Sequence, residues 1–128
     1  DLTSIARIKR VEANAFMGSG LTQVNFSTDL ITIEAGAFCG CDLSSITIPA
    51  DVSYIGNYAF ALNPNLSQIT FEDISNTYTT MLSNSSFVFW DCSSNLDIHF
   101  MIQPTDQIRD TFILDISLNC NQTINLSS

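Results

Sequence analysis

One short phrase recurs along the first half of the chain and sets the spacing of the residues around it. It consists of an apolar residue, three further residues, alanine and phenylalanine, and its copies end 22 residues apart at Phe16, Phe38 and Phe60. A leucine and an apolar-x-apolar triplet follow each copy, with the apolar pairs Val24 and Phe26, Ile46 and Ile48, and Ile69 and Phe71. A unit that repeats in register predicts a repeat solenoid, in which each unit packs on its neighbours.

The triplets predict one short strand per unit, and the alanine-phenylalanine phrases predict helical or turn segments that return the chain to the next strand. A 22-residue period lies within the range of about 20 to 29 residues that leucine-rich repeats use. The expected fold class is therefore a leucine-rich-repeat solenoid with short parallel β-strands and about four to five rungs. Strand alternation directs the apolar pairs inward, and the phenylalanines of the phrases are expected to stack as an internal spine.

The middle residue of each triplet faces outward and makes a candidate binding surface. Neighbouring strands lie about 4.8 Å apart, so these residues are expected to form a short polar ladder. The candidate contact residues are Asn25, Thr47, Thr70 and His99. A glycan on Asn25 would obstruct access to this surface.

The second half of the chain leaves the regular spacing. A degenerate copy is carried by Phe89, Cys92, Leu96, Ile98 and Phe100. We expect one domain over residues 1–128, with regular repeats over about 11–73 and a degenerate repeat and cap over about 74–128. A further strand, adding a rung below the degenerate copy, is predicted from the alternation of Phe112, Leu114, Ile116 and Leu118. Residues 2–5 look like the end of an earlier unit, so the chain is expected to begin inside a longer array.

Residues 46–60 read ITIPADVSYIGNYAF, and this order of strand, proline, isoleucine-glycine and alanine-phenylalanine closely resembles the BspA-like leucine-rich repeat. The preceding AFCGC at residues 37–41 strengthens the resemblance, which covers about 11–71 well and 89–100 poorly. The third unit departs from the pattern, because no cysteine follows Phe60 by three residues. The resemblance implies a surface or secreted protein, outside the cell or at its surface, that adheres to a protein or another cell-surface ligand.

The charge of the chain argues against a nucleic-acid partner. The net charge is -9, and three of the four basic residues are crowded at Arg7, Lys9 and Arg10, which leaves no basic stripe to neutralise phosphates. The carboxylates do not reproduce the spacing of a calcium loop, and the cysteines lack zinc spacing, so no metal and no cofactor is expected. The four cysteines are Cys39, Cys41, Cys92 and Cys120.

The pairing of these cysteines stays open, with free thiols favoured. Cys41 and Cys92 occupy the same position of the repeat, and two rungs would separate them by about 10 Å, too far for a disulfide. Both are expected to be buried. Cys39, between Phe38 and Gly40, is expected to be exposed, and Cys120 in the tail has the freedom to pair with any of the others.

Two further features favour secretion. Charged residues make up only 13 % of the chain, about half the usual share of roughly 25 %. Five N-x-[ST] sequons are candidate glycosylation sites, at Asn25, Asn65, Asn84, Asn121 and Asn125. No apolar run reaches the roughly 18 residues that a spanning helix needs, so no membrane-spanning segment is expected in this chain.

The residues that suggest catalysis do not form a constellation. His99 is the only histidine, Asp97 is expected to face the opposite side of the sheet, and Cys92 is expected in a buried turn. No G-x-S-x-G motif or glycine-rich phosphate loop is present, so we expect no enzyme activity. Trp90, with Phe87 and Phe89, forms an aromatic cluster that either closes the core or binds a glycan or partner.

Two functions fit this sequence. The first is a non-catalytic, extracytoplasmic protein-binding or adhesion module that presents the outer face of its sheet. The alternative is a structural unit that self-associates into a surface coat, filament or matrix. Concentration-dependent association through the end rungs would distinguish the second from the first.

Overall fold

The described part of the chain comprises residues 8–78, 87–118 and 120–127 of a computed structural model. Its elements are β1 (Arg10–Val11), β2 (Thr32–Ile33), β3 (Ser45–Ile48), β4 (Tyr54–Ile55), β5 (Gln68–Phe71), β6 (Asn95–Phe100), helix α1 (Asp106–Leu118) and β7 (Thr123–Ser127). The expected remnant of an earlier unit at residues 2–5 lies outside the described residues, as does the sequon at Asn84. No helix in the described ranges is both long and apolar enough to cross a membrane.

The strands form two parallel sheets, which agrees with the parallel strands that the repeat predicts. One sheet has the order β1-β2-β4, and the other has the order β3-β5-β6-β7. The register follows the repeat, since Ile46 pairs with Ile69 and Ile69 with Ile98. The three-stranded sheet was not expected. Its strands lie at the start of the three alanine-phenylalanine phrases, so the second and third units each supply one strand to each sheet.

The alanine-phenylalanine phrases form turns, and backbone hydrogen bonds join each turn to the next. The Phe16 N–H donates to Ala37 O (2.8 Å), and the Phe38 N–H donates to Ala59 O (2.8 Å). The same pattern continues from the Phe60 N–H to Val88 O (3.0 Å). The returning segments are therefore paired like strands, and their buried polar groups find partners in the neighbouring unit.

Each turn contains two residues with positive φ, at the same two positions of the repeat. The first position is occupied by Asn14, Gly36, Tyr58 and Phe87, and the second by Gly18, Gly40, Leu62 and Asp91. Glycine adopts this backbone region freely, whereas bulky side chains do so only under constraint. The stacked hydrogen bonds supply that constraint in the later turns, where glycine is absent.

The predicted phenylalanine spine is confirmed. The ring centroids of Phe16 and Phe38 lie 5.3 Å apart, those of Phe38 and Phe60 5.4 Å, and those of Phe60 and Phe89 6.0 Å. The rings are nearly parallel, with interplanar angles of 14°, 3° and 15°. Close turn stacking also requires Gly56, because a Cβ there would lie 2.7 Å from the Cα of Ala35.

The strand predicted from Phe112, Leu114, Ile116 and Leu118 is wrong, because these residues belong to helix α1. Phe112 and Ile116, one helical turn apart, are buried, whereas Leu114 and Leu118 are exposed. The Phe112 ring meets the edges of Phe71 and Phe100, at centroid distances of 5.1 and 6.2 Å. The strand that extends the sheet is β7, which pairs with β6 in parallel.

Candidate binding face

The outward residues of β3, β5, β6 and β7 form two polar rows across the sheet. In one row Thr47 pairs with Thr70, Thr70 with His99, and His99 with Ser127. The second row consists of Ser45, Gln68, Asp97 and Asn125. We call these two rows the polar face. Three of the four predicted contact residues, Thr47, Thr70 and His99, therefore lie on adjacent strands.

Asn25, the fourth predicted contact residue, lies outside the polar face as the strands define it. It is exposed, but its segment carries only an isolated bridge at Phe26 and belongs to none of the seven strands. The parallel ladder thus starts one unit later than expected.

A shallow depression of about 240 Å³ lies on the polar face over β5, β6 and β7. Its lining residues are Gln68, Ile69, Thr70, Asp97, His99 and Ser127. The expectation that Asp97 faces away from His99 is wrong, because residues two apart on a strand share a face. The His99 Nδ1 lies 3.3 Å from the Ser127 carbonyl oxygen, which ties the imidazole to β7. The depression offers hydroxyl, amide, carboxylate and imidazole groups to a ligand.

Cys92, five residues before Asp97 in the sequence, is not available as a nucleophile. Cys92 is buried, and its Sγ donates to Phe60 O at 3.1 Å. Burial raises the pKa of Cys92 to about 12, so the thiol stays protonated at neutral pH. Within the described ranges, no group of three or more histidine, cysteine, aspartate and glutamate residues could hold a metal ion.

Two of the buried cysteines, Cys41 and Cys92, belong to a hydrogen-bonding column that runs through the turns. The carbonyl oxygen of each spine phenylalanine accepts a bond from a side chain of the following unit. The donor-acceptor pairs are Cys41 Sγ to Phe16 O (3.1 Å), Asn63 Nδ2 to Phe38 O (2.9 Å), Cys92 Sγ to Phe60 O (3.1 Å) and Gln122 Nε2 to Phe89 O (2.7 Å). Asn63 thus performs the role of the cysteine that its unit lacks.

All four cysteines are free. The expectation that Cys39 is exposed is wrong, since its residue is only 8 % exposed within the stacked turns. Burial, and to a lesser degree the proximity of the ionisable Cys41 side chain, raise the pKa of Cys39. Cys120 is half-buried in the tail, so it is the most accessible of the four thiols.

The asparagine is exposed in each of the four sequons that the structure describes, at Asn25, Asn65, Asn121 and Asn125. Asn65 Nδ2 donates to Asp42 Oδ1 (2.9 Å), whereas Asn121 Oδ1 accepts the Asp91 N–H (3.2 Å). Asn125 lies in β7, in the same row of the polar face as Asp97. A glycan on Asn125 would therefore limit access to one end of that face.

The aromatic cluster divides between the core and the surface. Phe89 joins the spine and is buried, as the core-closing interpretation predicts. Phe87 instead stacks on Tyr58 at 5.4 Å and meets the edge of Trp90 at 5.3 Å. Phe87 and Trp90 are half-buried, and Tyr58 is exposed, so these three rings line the outside of the turns.

Sequence reasoning missed the contribution of β7 to the polar face. Ser127 and Asn125 extend the two rows by one strand, and Gln68 joins the depression. The available signal was the apolar-x-apolar triplet of Ile124 and Leu126, the same pattern that marks the earlier strands. The strand was instead predicted from the earlier alternation of Phe112, Leu114, Ile116 and Leu118.

Comparison with known proteins identifies the repeat. Neither the curated proteins nor the solved structures give a match to this chain. A family model described as "BspA type Leucine rich repeat region (6 copies)" matches residues 2–113. That match spans the regular units, the degenerate unit and most of helix α1. The chain therefore belongs to the BspA-type leucine-rich repeat family.

Proposed function

We propose that this chain is a non-catalytic, extracytoplasmic module of a cell-surface or secreted protein, which binds protein ligands in adhesion. Its two sheets would be two sides of one solenoid of about four to five rungs, with regular repeats over about 11–73 and a degenerate repeat and cap over about 74–128. Leucine-rich repeats generally serve protein interaction rather than catalysis, which supports this role. The family's usual location at the cell surface supports extracytoplasmic placement.

The observation that carries the proposal is the register of the polar face. Thr47, Thr70 and His99 lie side by side on three paired strands, and Ser127 continues their row. A rigid sheet presents these groups at regular intervals with little ordering of the backbone on binding, which lowers the entropy cost of association. Asn25 would contribute only at the margin, for a ligand that extends beyond β3.

A matched pair of substitutions tests this assignment. Beads coated with the chain are allowed to bind a panel of purified extracellular proteins and cultured-cell surfaces, and Kd is then measured for any ligand retained. Thr70→Arg places a bulky charge in the depression, whereas Asn57→Arg places the same charge on an exposed turn position. We expect Thr70→Arg to weaken binding at least about tenfold, a loss of about 1.4 kcal/mol, and Asn57→Arg to leave it unchanged. Equal losses, or none in Thr70→Arg, would exclude the polar face as the binding site.

The alternative role, a self-assembling unit of a coat, filament or matrix, depends on a different surface. That surface would be the end rungs, through which copies of the chain would associate as their concentration rises.

A further inference from the structure

The depression on the polar face is rich in hydrogen-bond acceptors. Asp97 contributes an exposed carboxylate, which only accepts hydrogen bonds when it is ionised. Gln68 and Thr70, on the neighbouring strand, line the same depression, and each can accept a bond as well as donate one. Asp97 is the only acidic residue in the two rows of the polar face, so it gives the depression a single point of negative charge.

The imidazole of His99 adds an acceptor whose position on the ring is set by β7. The His99 Nδ1 lies 3.3 Å from the Ser127 carbonyl oxygen. A carbonyl oxygen can only accept, so in the neutral imidazole Nδ1 carries the proton and Nε2 keeps its lone pair. His99 lines the depression and is half-buried. Its Nε2 can therefore accept a hydrogen bond from a ligand.

The basic side chains of the described residues lie elsewhere. Lys9 and Arg10 are at β1, in the three-stranded sheet. Arg109 is paired with two carboxylates of its own helix, α1, and lines a separate depression with Leu126. Asp97 thus has no cationic partner within the part of the chain that the structure describes. The net charge of -9 also attracts a basic ligand at longer range.

The size of the depression favours one side chain of a larger ligand. Its volume is about 240 Å³, whereas sites for whole small molecules usually measure about 300–1,000 Å³. The flat rows on both sides of the depression would contact the rest of such a ligand. The occupant indicated by size and charge is a basic side chain of a protein.

We propose that the depression receives an arginine side chain of the protein ligand. This inference rests on the proposed role of the polar face as the binding surface, and it specifies what that surface recognises. Asp97 and His99 are two residues apart on β6, so their Cα atoms are about 7 Å apart. A guanidinium is planar and carries five N–H groups in a rigid fork, so it can donate to the Asp97 carboxylate and to His99 Nε2 at the same time. The ammonium of lysine is more compact and makes a poorer bridge between them.

Peptide titrations followed by NMR test the recognition of arginine. The probes are short peptides of sequence glycine-serine-X-serine-glycine with blocked ends, in which X is arginine, lysine or citrulline. Citrulline has the shape of arginine without its charge. We expect the arginine peptide to shift the backbone amides of Thr70, Asp97 and His99, with a Kd roughly fivefold lower than that of the citrulline peptide and below that of the lysine peptide.

Three results of these titrations would overturn the proposal. The first is an arginine peptide that leaves the amides of the depression unshifted. The second is a citrulline peptide that binds as tightly as the arginine peptide, since charge would then contribute nothing. The third is a lysine peptide that binds equally well, since the site would then recognise any cation rather than the guanidinium.

A matched pair of variants identifies the carboxylate that binds the peptide. Asp97→Asn removes the charge at nearly constant shape, and Asp51→Asn makes the same change in net charge at an exposed turn position. We expect Asp97→Asn to raise the Kd of the arginine peptide roughly fivefold at low salt, and Asp51→Asn to leave it unchanged. Equal losses in the two variants would show a general effect of the chain's charge and overturn the site.

A protein ligand retained in the bead assay separates a failure of this inference from a failure of the proposed function. We expect both Thr70→Arg and Asp97→Asn to weaken its binding. If Thr70→Arg weakens binding and Asp97→Asn does not, the polar face stands as the binding surface and arginine recognition is refuted. If neither substitution changes binding, both the inference and the proposed function are refuted.

Discussion

Asn63 provides the sharpest test of how the turns are held together. Its side chain is fully buried, and its Nδ2 donates to Phe38 O and Phe60 O, both at 2.9 Å. Its Oδ1 accepts the Leu43 N–H at 3.1 Å. Replacing Asn63 with alanine leaves that buried N–H and the Phe38 carbonyl without their partner, and it also opens a small cavity.

The expected loss can be estimated from these contacts. A buried polar group without its partner costs about 1–3 kcal/mol, and the missing volume adds to that loss. We therefore expect Asn63→Ala to lower the free energy of unfolding by about 3–4 kcal/mol, a large part of the roughly 5–15 kcal/mol of a typical domain. Asn63→Cys should lose less, about 1–3 kcal/mol, because a thiol can donate to Phe38 O as Cys41 does to Phe16 O.

Urea unfolding followed by circular dichroism measures these differences, and hydrogen exchange of the Leu43 amide identifies their origin. In both variants this amide should exchange faster than in the parent. A loss below about 0.5 kcal/mol in Asn63→Ala, within the range of ordinary surface changes, would refute the reasoning. So would an unchanged exchange rate at Leu43.

The isosteric change Asn63→Asp adds a dependence on pH. The introduced carboxyl would be buried among carbonyl oxygens, which favours its protonated form and raises its folded-state pKa above the unfolded value of about 3.9. Stability should therefore be greatest below that pH and fall as the pH rises through the interval up to the raised pKa. Urea unfolding of Asn63→Asp and of the parent between pH 3 and 7 measures this pH dependence. A difference in free energy of unfolding between the two that does not change with pH would contradict the prediction.

Three further outcomes are expected. Gly56→Ala should lower the free energy of unfolding by about 3 kcal/mol, because the added Cβ overpacks against the preceding turn. Gly40→Ala has room for a Cβ but a φ of 71°, so it should lower that free energy by only about 1 kcal/mol, and urea midpoints distinguish the two. Burial raises the pKa of Cys92 to about 12, so stability should be retained below the unfolded-state pKa, near 9, and fall from there toward pH 12. Because Cys92 is buried and Cys120 is half-buried, thiol labelling at pH 8 should modify Cys120 before Cys92. Phe112→Ala should cost about 3–5 kcal/mol and release helix α1 from the sheet, visible as faster amide exchange along α1.

The repeat could be predicted because its residues recur at one spacing. Phe16, Phe38 and Phe60 indicated both the period and the spine, and the triplets predicted the pairing of Thr47 with Thr70. The strands β1, β2 and β4 gave no such signal, since two residues are too few to show alternation. Their pairing arises from the stacking of neighbouring units rather than from local preference.

Helix α1 was missed because its sequence satisfies two periodicities. Phe112, Leu114, Ile116 and Leu118 alternate as in a strand, yet Phe112 and Ile116 alone are buried, as on one face of a helix. The Thr105 hydroxyl oxygen accepts the Ile108 N–H (3.3 Å) and caps the helix. That cap was readable from the sequence, whereas the contact of Phe112 with Phe71 and Phe100 depends on the assembled sheet.

The column of bonds to the spine carbonyls has a consequence for changing the length of the molecule. At the last described turn, Gln122 bonds to Phe89 O and Asn121 accepts the Asp91 N–H. These side chains take up backbone groups that an added turn would otherwise use. Grafting a regular unit after Asp91 would therefore require removing both residues first, whereas a unit inserted between two inner turns would meet its natural partners on each side.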